Sequence, residues 1–267
     1  MDLPWEYDME LKTTQTGLAR IKVAENLLLS NCSAINPSKH TGQCITNIIG
    51  SIEKNFSSPV FRPPGGNPAY CAATAILIDN IAFPFTGKVN PFINCRNCVS
   101  STEYIAKAKK LGIRVDKIPA PGAVGFARSS LANSGFHTIA LVWYIDSKGD
   151  IATIEGNSNG YHLDSEGCYT KVANGIITKK RRPSTFSTFV HIEEYQDSGE
   201  LFAYIPMDNK ISLSGLGKGE YCLTALPTQE DIGNEDVIED SIGYKVEKYV
   251  PYAIVFGLFG LFLWSRR

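Results

Sequence analysis

The chain has 267 residues, with 26 Lys and Arg against 27 Asp and Glu and a formal net charge of −1. A length of this order buries one sizeable core, and so balanced a charge excludes a strongly basic nucleic-acid binder. The cysteines number seven, which is odd and excludes a fully paired disulfide framework.

The first residues, Met1-Asp2-Leu3-Pro4-Trp5-Glu6, are acidic and lack the apolar core of a secretory leader. They predict folding in a reducing cytoplasm with most thiols free. Residues 16–28 carry Leu18, Ile21, Val23, Ala24, Leu27 and Leu28 at the spacing of an amphipathic helix. After a turn-rich loop over 30–41, a second short helix begins at Cys44. Pro63, Pro64, Gly65 and Gly66 interrupt the chain ahead of Asn67-Pro68, where Asn is suited to cap a helix and Pro to occupy its first position. The apolar run 72–78 extends that helix and puts Cys71 in its first turn. Another helix is predicted over 102–111, stopped by Gly112. Strands follow over 123–127, 137–145, 151–155, 175–179 and 185–192. Helices first and strands after, with hairpin connections, indicate an α+β domain over residues 16–195, preceded by an N-terminal tail at 1–15. Its helices pack on a small antiparallel sheet.

Charge changes sharply after this domain. Residues 1–192 hold 20 Lys and Arg against 14 Asp and Glu, whereas residues 193–247 hold 3 against 13. Residues 196–248 read as an acidic linker, with a small hairpin between 202–205 and 221–223. Residues 249–265 include the uncharged run YVPYAIVFGLFGLFLW, edged by aromatics and closed by Arg266 and Arg267. They predict a C-terminal transmembrane helix, with Tyr249, Tyr252 and Trp264 as interfacial anchors.

The candidate chemistry centres on Cys71. A helix N-terminus favours thiolate over thiol and so activates a cysteine nucleophile. His137 opens an apolar strand, and a hairpin through Asp146-Ser147-Lys148-Gly149 returns the chain as residues 151–157. Pairing centred on that turn sets Ile139 opposite Asn157 and His137 near Asn159, so His137, Glu155 and Asn157 share one sheet face. A base needs this arrangement: one nitrogen toward the thiol, the other held by a carboxylate or amide. The oxyanion donors are expected from the Cys71 backbone N–H and the 67–70 turn, with Asn67 and Tyr70 as the side chains in question. His162, in a polar loop after the strand, is a weaker rival for the base. The pair Cys95-Arg96-Asn97-Cys98 has zinc-knuckle spacing without a second C-x-x-C, so no metal is expected. Lys179-Lys180-Arg181-Arg182 reads as a solvated strand end.

In their order and spacing these residues resemble the CHAP and NlpC/P60-like peptidoglycan hydrolases, a papain-like group common among phage lysins and bacterial wall-remodelling enzymes. The resemblance covers residues 19–192. It rests on Gly66-Asn67-Pro68-Ala69-Tyr70-Cys71-Ala72-Ala73, the Pro121-Gly122-Ala123-Val124 strand entry, Gly135-Phe136-His137 and Thr153-Ile154-Glu155-Gly156-Asn157-Ser158-Asn159. Two departures stand out: Tyr70 replaces a frequent Trp, and Ala123 a common Asp. The resemblance implies a papain-like fold, a catalytic set of Cys71, His137, Glu155 and Asn157, and cleavage of a wall-peptide amide through a thioester, with no cofactor. The expected partners are peptidoglycan and, through the C-terminal helix, a lipid bilayer, with no nucleic acid. The chain is then a single-pass membrane protein of a bacterium or a lipid-containing virion, a lytic enzyme encoded by phage or bacterium. Alternative readings are a catalytically silent wall-binding or structural membrane protein, and a cysteine peptidase acting on protein.

Overall fold

In the computed structural model, residues 11–34, 42–56, 70–93, 95, 98, 100–128, 136–163 and 169–207 are described. A short strand, β1 (Leu11–Thr13), leads into α1 (Gln15–Leu29). Thr14 caps that helix, its hydroxyl accepting the Gly17 N–H at 3.0 Å. Two further helices follow, α2 (Gln43–Phe56) and α3 (Cys71–Phe85). Nearly every side chain of α3 from Ala72 to Phe83 is buried, so this helix is the interior element against which α1, β4 and β6 pack. The shorter α4 (Ser101–Lys110) precedes the strands and concentrates Lys107, Lys109 and Lys110 in its last turn, where cations suit the helix dipole.

The strands are β2 (Val115–Asp116), β3 (Val124–Arg128), β4 (Phe136–Ile139), β5 (Leu141–Ile145), β6 (Ile151–Leu163), β7 (Tyr169–Arg181), β8 (Phe186–Val190) and β9 (Phe202–Tyr204). Every pairing among them is antiparallel, in the orders β2-β8-β3-β4, β5-β6-β7 and β1-β9. The described residues thus form an α+β arrangement, with four helices and small antiparallel sheets among them. The single strand expected over 137–145 is two. It bends at Ala140, where β4 stays with β3 and β5 crosses to β6. The Ala140 carbonyl accepts a hydrogen bond from Arg20 Nη2 at 3.3 Å. Val142 and the start of β3 exchange two backbone hydrogen bonds of 2.8 Å, which hold the two sheets edge to edge. Ala123, Ala127, Ile139, Val142, Ile151, Phe186 and Phe189, drawn from both sheets and the approach to β3, form one buried apolar cluster.

Beneath the helices lies a buried ion pair. Arg20 Nε of α1 contacts Asp79 Oδ1 of α3 at 2.8 Å, both side chains fully shielded, and the Tyr104 hydroxyl of α4 donates to Asp79 Oδ2 at 2.9 Å. Burial alone pushes the Asp79 carboxyl up, against the opposing pull of Arg20 and Tyr104. Removing either partner of such a pair costs about 3–5 kcal/mol, because the other charge is left stranded.

Several expectations change here. Cysteines expected to be free are paired: Cys32 with Cys44, joining the end of α1 to the start of α2, and Cys95 with Cys98. Cys71 is the free thiol among the described residues. Cys168 and Cys222 lie outside the described residues. Residues 202–204 pair with β1; residues 221–223, the other half of the expected hairpin, lie outside the described residues. β1 and β9 therefore join chain on either side of 16–195, and the Tyr204 hydroxyl donates to the Trp143 carbonyl at 2.5 Å. β6 and β7 both run longer than expected, because Asn157 and Asn174, at φ 59 and 64, absorb irregularities in their pairing. No described helix is long and apolar enough to cross a membrane. Residues 249–265 lie outside the described residues.

Candidate active site

The Cys71 side chain is placed by the start of α3. Asn67 and Pro68 lie outside the described residues, and the helix begins at Cys71 itself, with Tyr70 as its cap. The Tyr70 carbonyl accepts the Thr74 N–H at 2.9 Å and the Thr74 hydroxyl at 2.8 Å. Cys71 thus occupies the first helical position, at the positive end of the dipole, and is half-buried.

His137 is held from the other side. In β4 it pairs with Ala127 of β3, and its neighbours are pinned by α4: Ser101 Oγ lies 2.8 Å from Thr138 Oγ1 and donates to the Phe136 carbonyl at 3.3 Å. His137 Nε2 lies 3.0 Å from Glu155 Oε2. The ring also hydrogen-bonds the Cys71 side chain. With Nε2 taken by the carboxylate, Nδ1 is the nitrogen left for the sulfur.

Glu155 is fully buried in β6 and surrounded by donors. Arg181 of β7 grips it with both arms of its fork, Nε to Oε1 at 2.7 Å and Nη2 to Oε2 at 2.9 Å. The Thr153 hydroxyl donates to Oε1 at 2.7 Å. β6 comes this close to α3 because residue 156 is glycine. A Cβ there would overlap the Thr74 hydroxyl and sit 2.8 Å from Thr74 Cβ.

The electrostatics of the three groups agree with one another. Burial pushes the Cys71 thiol up, but the hydrogen bond and charge of His137, with the backbone N–H groups of Thr138 and Ala72, more than reverse this, and it lies below its ordinary value. Burial pulls the imidazole of His137 down, yet Cys71 and Glu155 raise it to about 9. Glu155, despite the opposing effect of burial, is held well below the carboxylate range by Arg181 and His137. All three shifts work toward a thiolate–imidazolium pair, the state in which cysteine is a nucleophile and histidine a proton donor.

Asn157 does not join this set. The pairing expected from the Asp146–Gly149 turn holds at Ile145↔Ile151 and Tyr144↔Ala152, then slips by one residue, and the strand leaves for β3. His137 and Glu155 still meet. A bulge between Gly156 and Ser158 ends the alternation before Asn157, whose Oδ1 accepts from Asn174 Nδ2 at 3.2 Å instead. Tyr70 is also placed differently from expectation. Its buried hydroxyl hydrogen-bonds Asn174 Oδ1 and is pushed up by burial, against the Asn157 backbone. It supports the floor of the site rather than standing free as an oxyanion donor. His162 lies within β6, not in a loop, and burial pulls it down to about 4, against the carbonyls of Cys32 and Ile176. Arg181, read as part of a solvated cationic run, is buried on Glu155. The strand alternates here, Lys180 turning to Asp146 at 3.0 Å and Arg181 turning in, but which face is inward depends on the β6–β7 register and not on the run itself.

Comparison with family models, curated proteins and solved structures returned no match.

Proposed function

We propose that the chain is a peptidoglycan hydrolase, a cysteine amidase or endopeptidase of the papain-like CHAP and NlpC/P60 type. One observation carries this reading: a thiol at a helix N-terminus, an imidazole on it, and a buried carboxylate on the far nitrogen of the imidazole. The motif resemblance over residues 19–192 supplies the substrate class. Cys71 thiolate attacks an amide carbonyl of the wall peptide, and the electron pair moves to the carbonyl oxygen. As the C–N bond breaks, His137 gives its proton to the leaving amine and a thioester remains. His137, now neutral, takes a proton from water; the hydroxide adds to the thioester, and the thiolate departs with a new carboxylate released. Glu155 keeps the ring oriented and balances its charge in both directions. The Cys71 backbone N–H at the start of α3 is the donor offered to the developing oxyanion. The uncharged run at 249–265 would tether this domain to a bilayer, and the acidic stretch before it would give reach on the order of 40 Å.

The test is digestion of purified peptidoglycan by the full chain beside Cys71→Ala. The expected result is new free amino groups and shortened stem peptides with the native chain, and none with the variant. Equal digestion by both proteins would remove Cys71 from the reaction. An intact wall alongside cleavage of a denatured protein substrate would move the activity to polypeptide.

A further inference from the structure

The basic run at the end of β7 contains a cation that the thiol, imidazole and carboxylate alone do not account for. Lys180 leaves the run for Asp146, 3.0 Å away, and is half-buried. Arg181 turns inward, buried, with two nitrogens on two oxygens of one carboxylate. Each Glu155 oxygen then accepts two donors: Arg181 and Thr153 on Oε1, Arg181 and His137 on Oε2. A carboxylate so surrounded cannot rotate without losing at least one charge-assisted bond.

We propose that Arg181 is a positioning residue for the Cys71–His137 pair, acting through Glu155: its fork fixes the oxygen that meets His137, and its charge completes a cluster that is neutral when the thiolate forms. This rests on the reading of Cys71 as nucleophile and adds a fourth member to the site. The neutrality is a simple count. Thiolate and carboxylate contribute two negative charges, imidazolium and guanidinium two positive ones. Without Arg181 the same protonation state carries a net negative charge in a shielded place. The groups acting on Glu155 are Arg181 and Lys179 from β7 and His137 from β4, with Cys71 of α3 beyond the imidazole. Removing the guanidinium leaves Lys179, half-exposed, as the only cation among them besides the imidazolium. Loss of a nearby fixed positive charge favours proton uptake by every group around it, so both limbs of a pH profile move toward alkaline pH. Lysine in this place keeps a charge but has no planar fork to span two oxygens.

The experiment follows the pH dependence of Cys71 alkylation by iodoacetamide, read by mass on the peptide containing Cys71, in the full chain and in R181Q and R181K. Melting curves establish the folded fraction. In R181Q the midpoint of thiolate reactivity is expected to rise by about one pH unit or more. In R181K the midpoint should move by less than about half as much, while turnover on peptidoglycan falls about tenfold, because charge is kept and aim is lost. A residue that merely holds β6 to β7 would lower the melting temperature without moving the midpoint. A folded R181Q whose midpoint matches the native chain overturns the proposal. Should R181Q fail to fold, R181K decides: native turnover together with a native midpoint overturns it. Alkylation uses no wall substrate, so failure of the hydrolase reading, seen as equal digestion by Cys71→Ala, is distinguishable from failure of the Arg181 proposal.

Discussion

Two histidines of this molecule sit in nearly the same electrostatic dress, and only one of them faces a nucleophile. His191, at the end of β8, lies with Nε2 2.9 Å from Asp116 and Nδ1 2.9 Å from Glu193, and Arg114 Nη2 is 2.8 Å from the same Nδ1. Burial pulls this ring down, yet Glu193 and Asp116 raise it above its ordinary value, as Cys71 and Glu155 do for His137. Both sites combine histidine, carboxylate and arginine. The difference is what the second nitrogen meets. His191 is fully buried with both nitrogens engaged by charged side chains, whereas His137 has one nitrogen on a carboxylate and the other on a half-buried thiol at a helix start. A shifted imidazole thus marks a charged interior, and chemistry needs a reactive partner besides. The same contrast disposes of a metal reading for His191, Glu193 and Glu194, whose ligand atoms lie within 4.8 Å of one another. The Arg114 guanidinium, 2.5 Å from Glu194 Oε1 and 2.8 Å from His191 Nδ1, already fills the place of a cation.

The contrast is sharpest as a pair of substitutions. His137→Ala is expected to lower wall hydrolysis about a thousandfold with a nearly native melting temperature, since general acid–base groups supply effects of this order. His191→Gln should do the reverse: native turnover per folded molecule, and a loss of about 3 kcal/mol of stability, because buried Glu193 loses its partner. Turnover and urea midpoints measured on both variants would break the comparison if His191→Gln lost turnover as steeply as His137→Ala.

Smaller effects test how the site is held. Gly156→Ala pushes a methyl group onto Thr74, one turn past the nucleophile, and should cost about 1–3 kcal/mol together with part of the activity. A Thr74→Ala partner removes the hydroxyl that overlaps and should return part of both losses; strictly additive losses would show that the contact is not what separates α3 from β6. Opening the Cys32–Cys44 link, with a sequence separation of 12, should cost up to about 3 kcal/mol by releasing loop entropy to the unfolded chain. Melting curves of the oxidised and reduced protein measure it. The Cys71 reactivity should be unchanged, since that link ties α1 to α2 and lies outside the thiol, imidazole and carboxylate set.

Much of the site was legible because its parts are local. Cys71 at a helix start follows from the break at 63–66 and the apolar run after it, and Glu155 opposite a histidine strand follows from a four-residue turn. What escaped was long-range or hidden by composition. Asn157-Ser158-Asn159-Gly160 reads as a loop, yet Asn157, in left-handed conformation, carries the strand through a bulge there, so β6 continues to Leu163 and buries His162. Arg181 belongs to a run of four cations, and no local pattern shows which of them faces inward until the β6–β7 register is known. Asp79 is a lone acid in an apolar helix, and its partner Arg20 lies 59 residues away on α1. The disulfides also depend on tertiary approach, Cys32 and Cys44 meeting at a Cα separation of 5.6 Å across a loop.

The finest distinction between the two histidines lies in how stability varies with pH. His137 is raised to about 9 in the fold, so on its own its contribution is complete below its ordinary value of 6.5 and is lost as pH rises through about 9. Cys71 is lowered in the fold, so on its own its contribution is complete above the ordinary thiol value of 9.0 and is lost as pH falls through the folded value. Between about 6.5 and 9 the two trends oppose. Where the folded thiol has already ionised, the folded pair carries one proton on the imidazole and the unfolded pair one on the thiol, so folding there neither takes up nor releases a proton. The native chain should therefore show a nearly level contribution from this pair between the folded thiol value and about 9. In Cys71→Ser the hydroxyl does not titrate, and Glu155 is left to hold the proton on His137 against burial. Stability of that variant relative to native should fall as pH rises, by at most about 1.4 kcal/mol for each pH unit that Glu155 alone holds the ring above its ordinary value. Urea midpoints at pH 6 and pH 9 on both proteins measure the difference. Parallel curves would mean that the thiol and the imidazole titrate independently, and His137 would then be a buried, charge-compensated histidine of the same kind as His191.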